Sequence, residues 1–208
     1  MVRLTGPMMS VSASGTFAKT MTFANWKGRA YARSRVIPTN PKSAAQLGVR
    51  AMMKFLAEEW AGLAALDKAT YDTAAAARSI SAYNQYISEN LARWQMSQAP
   101  SQASPPAEAS TPLTITTQTL TGGEGHITIT LTPSGGTDIW GLAIFRESAE
   151  ITAPSWANCV AVVAADGTNS VTYTDSPLAA GTYHYRTAVI NNDGILGAVH
   201  ADGTADAT

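Results

Sequence analysis

Residues 178–198, LAAGTYHYRTAVINNDGILGA, contain a β-strand pattern between two turn signals. The run from Tyr183 to Ile190 is rich in aromatic and β-branched residues, which favour strands. Small residues precede it, and Asn192-Asp193-Gly194 is typical of the turn that follows a strand. Six further segments have a similar pattern: 113–120, 126–131, 140–146, 160–164, 170–174 and 195–199. Seven short strands in about 95 residues predict an all-β sandwich over residues 113–208.

The same stretch resembles the end of a fibronectin type III domain, where a turn enters a strand through a tyrosine. Tyr183 matches that corner tyrosine, and Tyr185 follows it on the same face of the strand. Trp140 falls on the third strand, where such sandwiches often carry a core aromatic residue. The resemblance implies a fibronectin type III or immunoglobulin-like fold for residues 113–208. It implies no activity, because these folds carry many functions.

Residues 97–112, SQAPSQASPPAEASTP, mark the change from a helical pattern to a strand pattern. Proline blocks a helix and favours extended chain, so this stretch is predicted to be a linker. The charge changes sign at the same place. Residues 1–100 hold 12 Lys/Arg and 5 Asp/Glu, a balance of +7, whereas residues 101–208 hold 2 and 10, a balance of −8. This asymmetry indicates two modules with different partners.

Residues 41–96 have the periodicity of helices. Ser43 and Gln46 fit a capping box at the start of a first helix, which is predicted over residues 43–65. Asp67 or Thr70 is predicted to cap a second helix, whose apolar stripe runs from Ile80 to Trp94 with spacings of three and four residues. The short connection between them predicts an antiparallel αα-hairpin. The fold class is therefore α+β in two modules, with an extended basic arm before the hairpin and the sandwich after the linker.

The predicted arm, residues 1–40, is basic and carries aromatic residues. Strand-like alternation in residues 29–36, RAYARSRV, puts Arg29, Tyr31, Arg33 and Arg35 on one face. Nine bases precede the first acidic residue, Glu58. Clustered bases and aromatic side chains suit nucleic acid, through phosphate neutralisation and base stacking.

Arginine with aromatic residues also marks protein interfaces, where carboxylates pair with guanidinium groups. Because the nine bases are spread over 57 residues, protein docking is favoured over nucleic acid. The predicted partner-docking residues are Trp26, Arg29, Tyr31, Arg33, Arg35, Arg50, Trp60 and Trp94.

Patterns of catalytic or metal-binding residues are not evident in the sequence. The single cysteine, Cys159, precedes an apolar strand and is predicted to be a buried, inert thiol. His126, His184 and His200 lack the spacing of zinc ligands. The sequence therefore predicts no catalytic, metal or cofactor site and no enzyme. No apolar run approaches the length of a membrane span, and the chain is expected to be made in a reducing cytoplasm.

A second resemblance covers residues 28–70. Small virion-associated bacteriophage proteins carry an R-x-x-P-x-N-P-x-[ST]-x-x-Q-x-x-x-R block, which this chain is similar to from Arg35 to Arg50, and then a tryptophan, here Trp60. The other matching positions are Pro38, Asn40, Pro41, Ser43 and Gln46. The resemblance implies a phage origin and a place in the virion after synthesis in the host cytoplasm.

Together, these features predict a virion structural protein, most simply a minor capsid or decoration protein. It is expected in many copies or as a homo-oligomer, docked on an acidic capsid or neck surface by its arm and helices, with the sandwich projecting outward. The alternatives are a head–tail connector or tail component, a nucleic-acid-binding protein, and a host-surface adhesin.

Overall fold

The protein has 208 residues. The computed structural model describes residues 2–3, 14–37, 39–40, 42–107, 113–134, 138–165 and 169–208. The chain divides into two compact units, Met1–Pro41 and Lys42–Thr208. Three helices and three antiparallel sheets are present in the described part of the chain, which confirms the mixed α+β class. Pro38, Pro41 and residues 108–112 of the predicted linker lie outside the described residues.

The first unit contains a four-stranded antiparallel sheet, here called the N-terminal sheet. Its strands are β1 (Val2–Arg3), β2 (Gly15–Phe17), β3 (Met21–Trp26) and β4 (Arg29–Ser34), in the spatial order β1-β4-β3-β2. Lys27 and Gly28 join β3 to β4 with φ values of +49° and +74°. Two such residues form the kind of tight turn whose twist suits a hairpin. The prediction of an extended arm is wrong for these strands, because the alternating residues of β4 pair with β3.

Three helices open the second unit: α1 (Ala44–Glu59), α2 (Ala65–Ala76) and α3 (Ala82–Gln95). The predicted hairpin of two helices is thus corrected. The helical conformation is interrupted at Ser79, whose φ is +53°, and Ser81 is the N-cap of α3. The Ser81 hydroxyl accepts a hydrogen bond of 3.2 Å from the Asn84 N–H. Ser43 is the N-cap of α1 but makes no side-chain cap hydrogen bond, so the predicted capping box does not form.

Seven strands follow the helices: β5 (Ile115–Gly123), β6 (His126–Pro133), β7 (Ile139–Glu147), β8 (Cys159–Ala164), β9 (Val171–Asp175), β10 (Gly181–Asn191) and β11 (Gly203–Ala207). A short 3-10 turn, Trp156–Asn158, precedes β8. Six of these strands match the predicted segments. The strand predicted over residues 195–199 is wrong, since only an isolated bridge joins Leu196 to Ile190. The last strand is β11, whose Gly, Ala and Asp residues have little strand propensity.

The second unit has three layers, and β7 lies in the middle one. A large sheet, β11-β10-β7-β8, faces a small sheet, β5-β6-β9, across one apolar cluster that contains Leu142 and Ile144. Ala143 and Phe145 belong to a second cluster with the helices. Successive side chains of a strand point to opposite faces, so β7 is covered on both sides. Residues 139–145, IWGLAIF, are all buried, which explains their continuous apolar run.

Residues 97–107 of the predicted linker pack against the helices and strands instead of separating them. Ala99 and Ser101 are each 1% exposed. The Asn90 side chain of α3 accepts from the Ser101 N–H at 2.8 Å and donates to the Ser101 carbonyl at 3.0 Å. Arg93 donates to the Gly194 carbonyl at 3.0 Å. These contacts satisfy the polar backbone of the segment and allow it to pack, so the two predicted modules form one unit.

Candidate protein-binding site

The strand register of the N-terminal sheet brings basic and aromatic side chains onto one face. Trp26 pairs with Arg29, and Thr22 pairs with Arg33, while Tyr31 lies between the two arginines on β4. The Arg35 N–H donates to the Thr20 carbonyl at 2.7 Å, which continues the alternation past the end of β4. We call this surface the basic face. It consists of Trp26, Arg29, Tyr31, Arg33 and Arg35.

The basic face is open and carries only positive charge. Trp26 is 65% exposed, and the Lys27 ammonium lies 4.8 Å from the centre of its ring. Arg29, Arg33 and Arg35 are exposed, and Tyr31 is half-buried. The chain contains no Asp or Glu before Glu58. The positive potential of the face is therefore not offset by acidic residues in its own unit.

The opposite face of the same sheet is apolar. Phe17 pairs with Met21, and Phe23 pairs with Ala32. Phe17 is 55% exposed and Met21 is 42% exposed. None of the side chains described in residues 14–37 is buried. A sheet this small gains little stability without a surface to pack on, so both faces are available for contacts with a partner.

Arg50 and Trp60, the docking residues predicted on the first helix, differ in their surroundings. Arg50 is exposed on α1, at a groove of about 370 Å³ lined by Ala45, Gln46, Val49 and Trp156. Trp60 is half-buried. Its ring lies 5.6 Å from that of Tyr83 and 5.1 Å from that of Tyr86. Trp60 thus packs on the helical core and stays partly accessible.

Trp94 is not a docking residue, and that prediction is wrong. It is 1% exposed, and its ring stacks on that of Phe145 at 6.2 Å. From Tyr83 to Trp94 the apolar stripe of α3 packs inside the same chain, whereas Ile80 is 37% exposed. The surface that the stripe contacts is the large C-terminal sheet of the same chain rather than another subunit.

Two polar pairs on the C-terminal strands were missed by sequence reasoning. Arg146 Nη1 lies 2.7 Å from Asp175 Oδ2, and the same oxygen accepts from the Tyr185 hydroxyl at 2.9 Å. His184 Nδ1 lies 2.6 Å from Asp202 Oδ2. Both carboxylates are far in sequence from their partners, and only the strand pairing brings them together.

The residues considered for catalysis or metal binding lie apart from one another. Burial raises the pKa of the Cys159 thiol to about 12, so it is protonated at neutral pH. His126 and His200 contact backbone carbonyls of near neighbours. In the part of the chain that the structure describes, no three His, Cys, Asp or Glu side chains form a metal-ligand group. No described helix is long and apolar enough to cross a membrane.

Comparisons with known proteins give partial structural likenesses. No protein-family model and no curated protein matches the chain. The β-1,2-glucanase of Parabacteroides distasonis matches 48% of this chain and 14% of its own, with 21% identity and a TM-score of 0.37. Catalytically inactive OgpA of Akkermansia muciniphila, in complex with an O-glycopeptide substrate, matches 50% and 32%, with 8% identity and a TM-score of 0.35. Wild-type OgpA matches 48% and 29%, with 7% identity and a TM-score of 0.32.

These matches contradict the prediction that the chain is not an enzyme, because the matched proteins are enzymes, and that prediction is withdrawn. The chain spans less than a third of each neighbour's length. At TM-scores of 0.37 and below, the likeness carries over neither a catalytic residue nor a substrate.

Proposed function

We propose that this chain is a structural protein of a bacteriophage particle, associated with the capsid, which binds an acidic protein surface through the N-terminal sheet. The Arg35 to Arg50 block and its resemblance to virion-associated proteins support the phage origin. The observation that carries the docking role is the N-terminal sheet itself. It buries none of its described side chains, yet it presents an arginine-rich aromatic face.

The chemistry of the basic face suits protein carboxylates. Arg29, Arg33 and Arg35 stand at alternate positions of one strand and its extension, so their side chains leave the same face of the sheet. Guanidinium pairs carboxylates through two parallel hydrogen bonds. Trp26 and Tyr31 add flat apolar area with few rotatable bonds, the composition of interface hot spots. In a symmetric particle with many copies, modest affinity per copy is sufficient for retention.

The C-terminal sheets are proposed to be a fibronectin type III or immunoglobulin-like sandwich that projects from the particle. Seven strands in a sheet of four and a sheet of three support this proposal. The Tyr183 hydroxyl donates to the Ala179 carbonyl at 3.0 Å, the type of contact that a corner tyrosine makes.

The test is incorporation of a double variant, Arg33→Glu with Arg35→Glu, into assembled particles. Particles are expected to lose the protein, because two guanidinium groups become carboxylates that an acidic surface repels. The matched control is Lys42→Glu with Lys54→Glu, which makes the same change in net charge at exposed positions outside the sheet. Retention of the control with loss of the first variant supports docking by the basic face. Equal retention of both variants overturns it.

Nucleic acid is the second candidate, and the exposed Trp26 ring beside Lys27 favours it, since aromatic and cationic groups bind single strands. Light scattering of the full chain with short duplex and single-stranded DNA, at low and high salt, separates the two. A mass unchanged by DNA supports protein docking. A discrete complex that salt dissolves overturns it in favour of nucleic acid.

A further inference from the structure

Each of the two arginines of the C-terminal strands lies beside an aspartate of the same fold. Arg146 pairs with Asp175 at 2.7 Å, and Arg186 Nε lies 3.8 Å from Asp202 Oδ1. All four of these side chains are mostly buried. The exposed Asp, Glu, Lys and Arg residues described between residues 113 and 208 are therefore all acidic. They are Glu124, Asp138, Glu147, Glu150 and Asp206.

Strand pairing brings most of these carboxylates to one end of the two sheets. Glu147 pairs with His184 near the start of β10, and Asp206 pairs with Thr182 on the other side of β10. The β5–β6 turn, which carries Glu124, meets the same end, since the Gly125 N–H donates to the Thr208 carbonyl at 2.9 Å. Glu150 follows Glu147 by three residues. We call this surface the acidic end.

A groove at the acidic end has the dimensions and lining for a basic side chain. It has a volume of about 200 Å³ and is bounded by residues 149–153 together with Glu147 and Asn158. Both Glu147 and Glu150 line it. The volume corresponds to roughly seven water molecules, enough for a guanidinium group and part of its stem. A guanidinium group pairs carboxylates through two parallel hydrogen bonds, and both acidic residues of this groove are exposed.

We infer, on the basis of the proposed docking function, that the partner of the basic face is a second copy of this chain. The basic face of one copy binds the acidic end of the next, with Arg33 or Arg35 in the groove beside Glu147 and Glu150. Charge complementarity supports this choice. The first 100 residues carry +7 and the remainder −8, whereas the whole chain carries only −1. Whole copies therefore repel each other little, while their opposite parts attract.

This contact joins two different surfaces, so it is heterologous and repeats from copy to copy. Such contacts generate a ring where the rotation closes and an open array where it does not. Either form suits a protein that is present in many copies on a symmetric particle.

A charge-swap experiment on the full chain tests the inference. The first variant is Arg33→Glu with Arg35→Glu, and the second is Glu147→Lys with Glu150→Lys. All four positions are exposed, so both variants are expected to fold, as circular dichroism checks. Wild type is expected to associate at low salt and dissociate at high salt in light scattering, because the contact depends on charge. Each variant alone should need at least about tenfold more protein to associate, since like charges then face each other.

An equimolar mixture of the two variants should recover association, because each acidic surface then meets a basic one. The Lys42→Glu, Lys54→Glu control should associate like wild type. The inference is overturned if wild type stays monomeric at low salt, as intramolecular docking of the sheet would require, or if the mixture remains monomeric. Particle incorporation is measured separately. If the protein enters particles but the charge-swap mixture does not associate, the proposed function stands and a second copy is not the partner. If the mixture associates but the protein does not enter particles, self-association stands and the proposed function is overturned.

Discussion

Arg146 Nη1 lies 2.7 Å from Asp175 Oδ2, and this pair joins the two C-terminal sheets. Arg146 belongs to β7 of the large sheet, and Asp175 ends β9 of the small sheet. The Tyr185 hydroxyl of β10 donates to the same oxygen at 2.9 Å. Asp175 is 5% exposed. Two donors therefore compensate a carboxylate that burial alone would destabilise.

Asp175→Asn should lower the free energy of unfolding by about 1–3 kcal/mol, because Arg146 loses its counter-charge inside the fold. The loss is smaller than for a fully buried pair, since 23% of the Arg146 side chain stays exposed. Urea unfolding measures it. Glu124→Gln, an exposed carboxylate in the β5–β6 turn, is the control and should change stability by less than about 0.5 kcal/mol. Equal stabilities of the two variants would show that the pair contributes nothing.

Gly48→Ala should destabilise the second unit by about 1–3 kcal/mol through overpacking. A Cβ atom at Gly48 would lie 1.9 Å from the Trp156 carbonyl oxygen, a backbone atom that cannot move by a side-chain rotation. Gly62→Ala is the matched control, because its nearest atom would be the Glu59 carbonyl oxygen at 3.7 Å. Thermal unfolding compares the two. A Gly48→Ala protein as stable as the control would mean that α1 can move away from the 3-10 turn without loss.

Ser81→Ala should cost about 1 kcal/mol, because the α3 N-cap loses the hydrogen bond from the Asn84 N–H. Ser43→Ala provides the comparison, since Ser43 holds the same position on α1 without a side-chain cap bond. Its substitution should have the smaller effect. Urea unfolding of both variants gives the difference, and a larger loss for Ser43→Ala would contradict the assignment of the caps.

The sequence predicts local structure well where one periodicity dominates. The alternation of residues 126–131 and the run of residues 140–146 predict strands that the structure contains as β6 and β7. The break between α2 and α3 was missed because it depends on one left-handed residue, Ser79, in a stretch whose apolar spacing continues across it. Helix propensities do not identify a single residue that adopts a left-handed conformation and interrupts a helix.

Long-range packing is harder to predict than local structure. The proline-rich segment from residue 97 was predicted to be a linker, but the buried amide of Asn90 binds it at Ser101. Trp140 Nε1 likewise donates to Glu59 at 2.9 Å, between residues 81 positions apart. The basic face was predictable because it depends on alternation within a single strand, whereas the acidic end depends on the pairing of β7, β10 and β11.

Cys159 should not react with a thiol reagent such as DTNB in the folded protein. It is completely buried, and burial raises the pKa of its thiol to about 12, so little thiolate forms at pH 8. Addition of urea above the unfolding transition should release one thiol per chain. Rapid reaction without urea would show that β8 opens locally.

The stability of the second unit should fall as the pH rises above about 10, the pKa of an exposed tyrosine. Burial raises the pKa of Tyr185, and the Asp175 carboxylate raises it further. Burial raises the pKa of Tyr71 and Tyr86 in the same way. In this range the unfolded chain has released protons that the folded chain retains, so increasing pH favours unfolding. Each such group contributes up to about 1.4 kcal/mol per pH unit.

Tyr185→Phe should therefore make the decline of stability above pH 10 less steep, although it lowers stability at neutral pH by removing the hydrogen bond to Asp175. Urea unfolding at pH 7, 9, 10 and 11 separates the two effects, since the hydrogen bond shifts the whole curve and the proton linkage changes only its alkaline slope. Tyr31→Phe, which removes a tyrosine hydroxyl from the N-terminal sheet and not from the second unit, is the matched control. Equal alkaline slopes for wild type and Tyr185→Phe would mean that the Tyr185 hydroxyl ionises as readily in the folded chain as in the unfolded one.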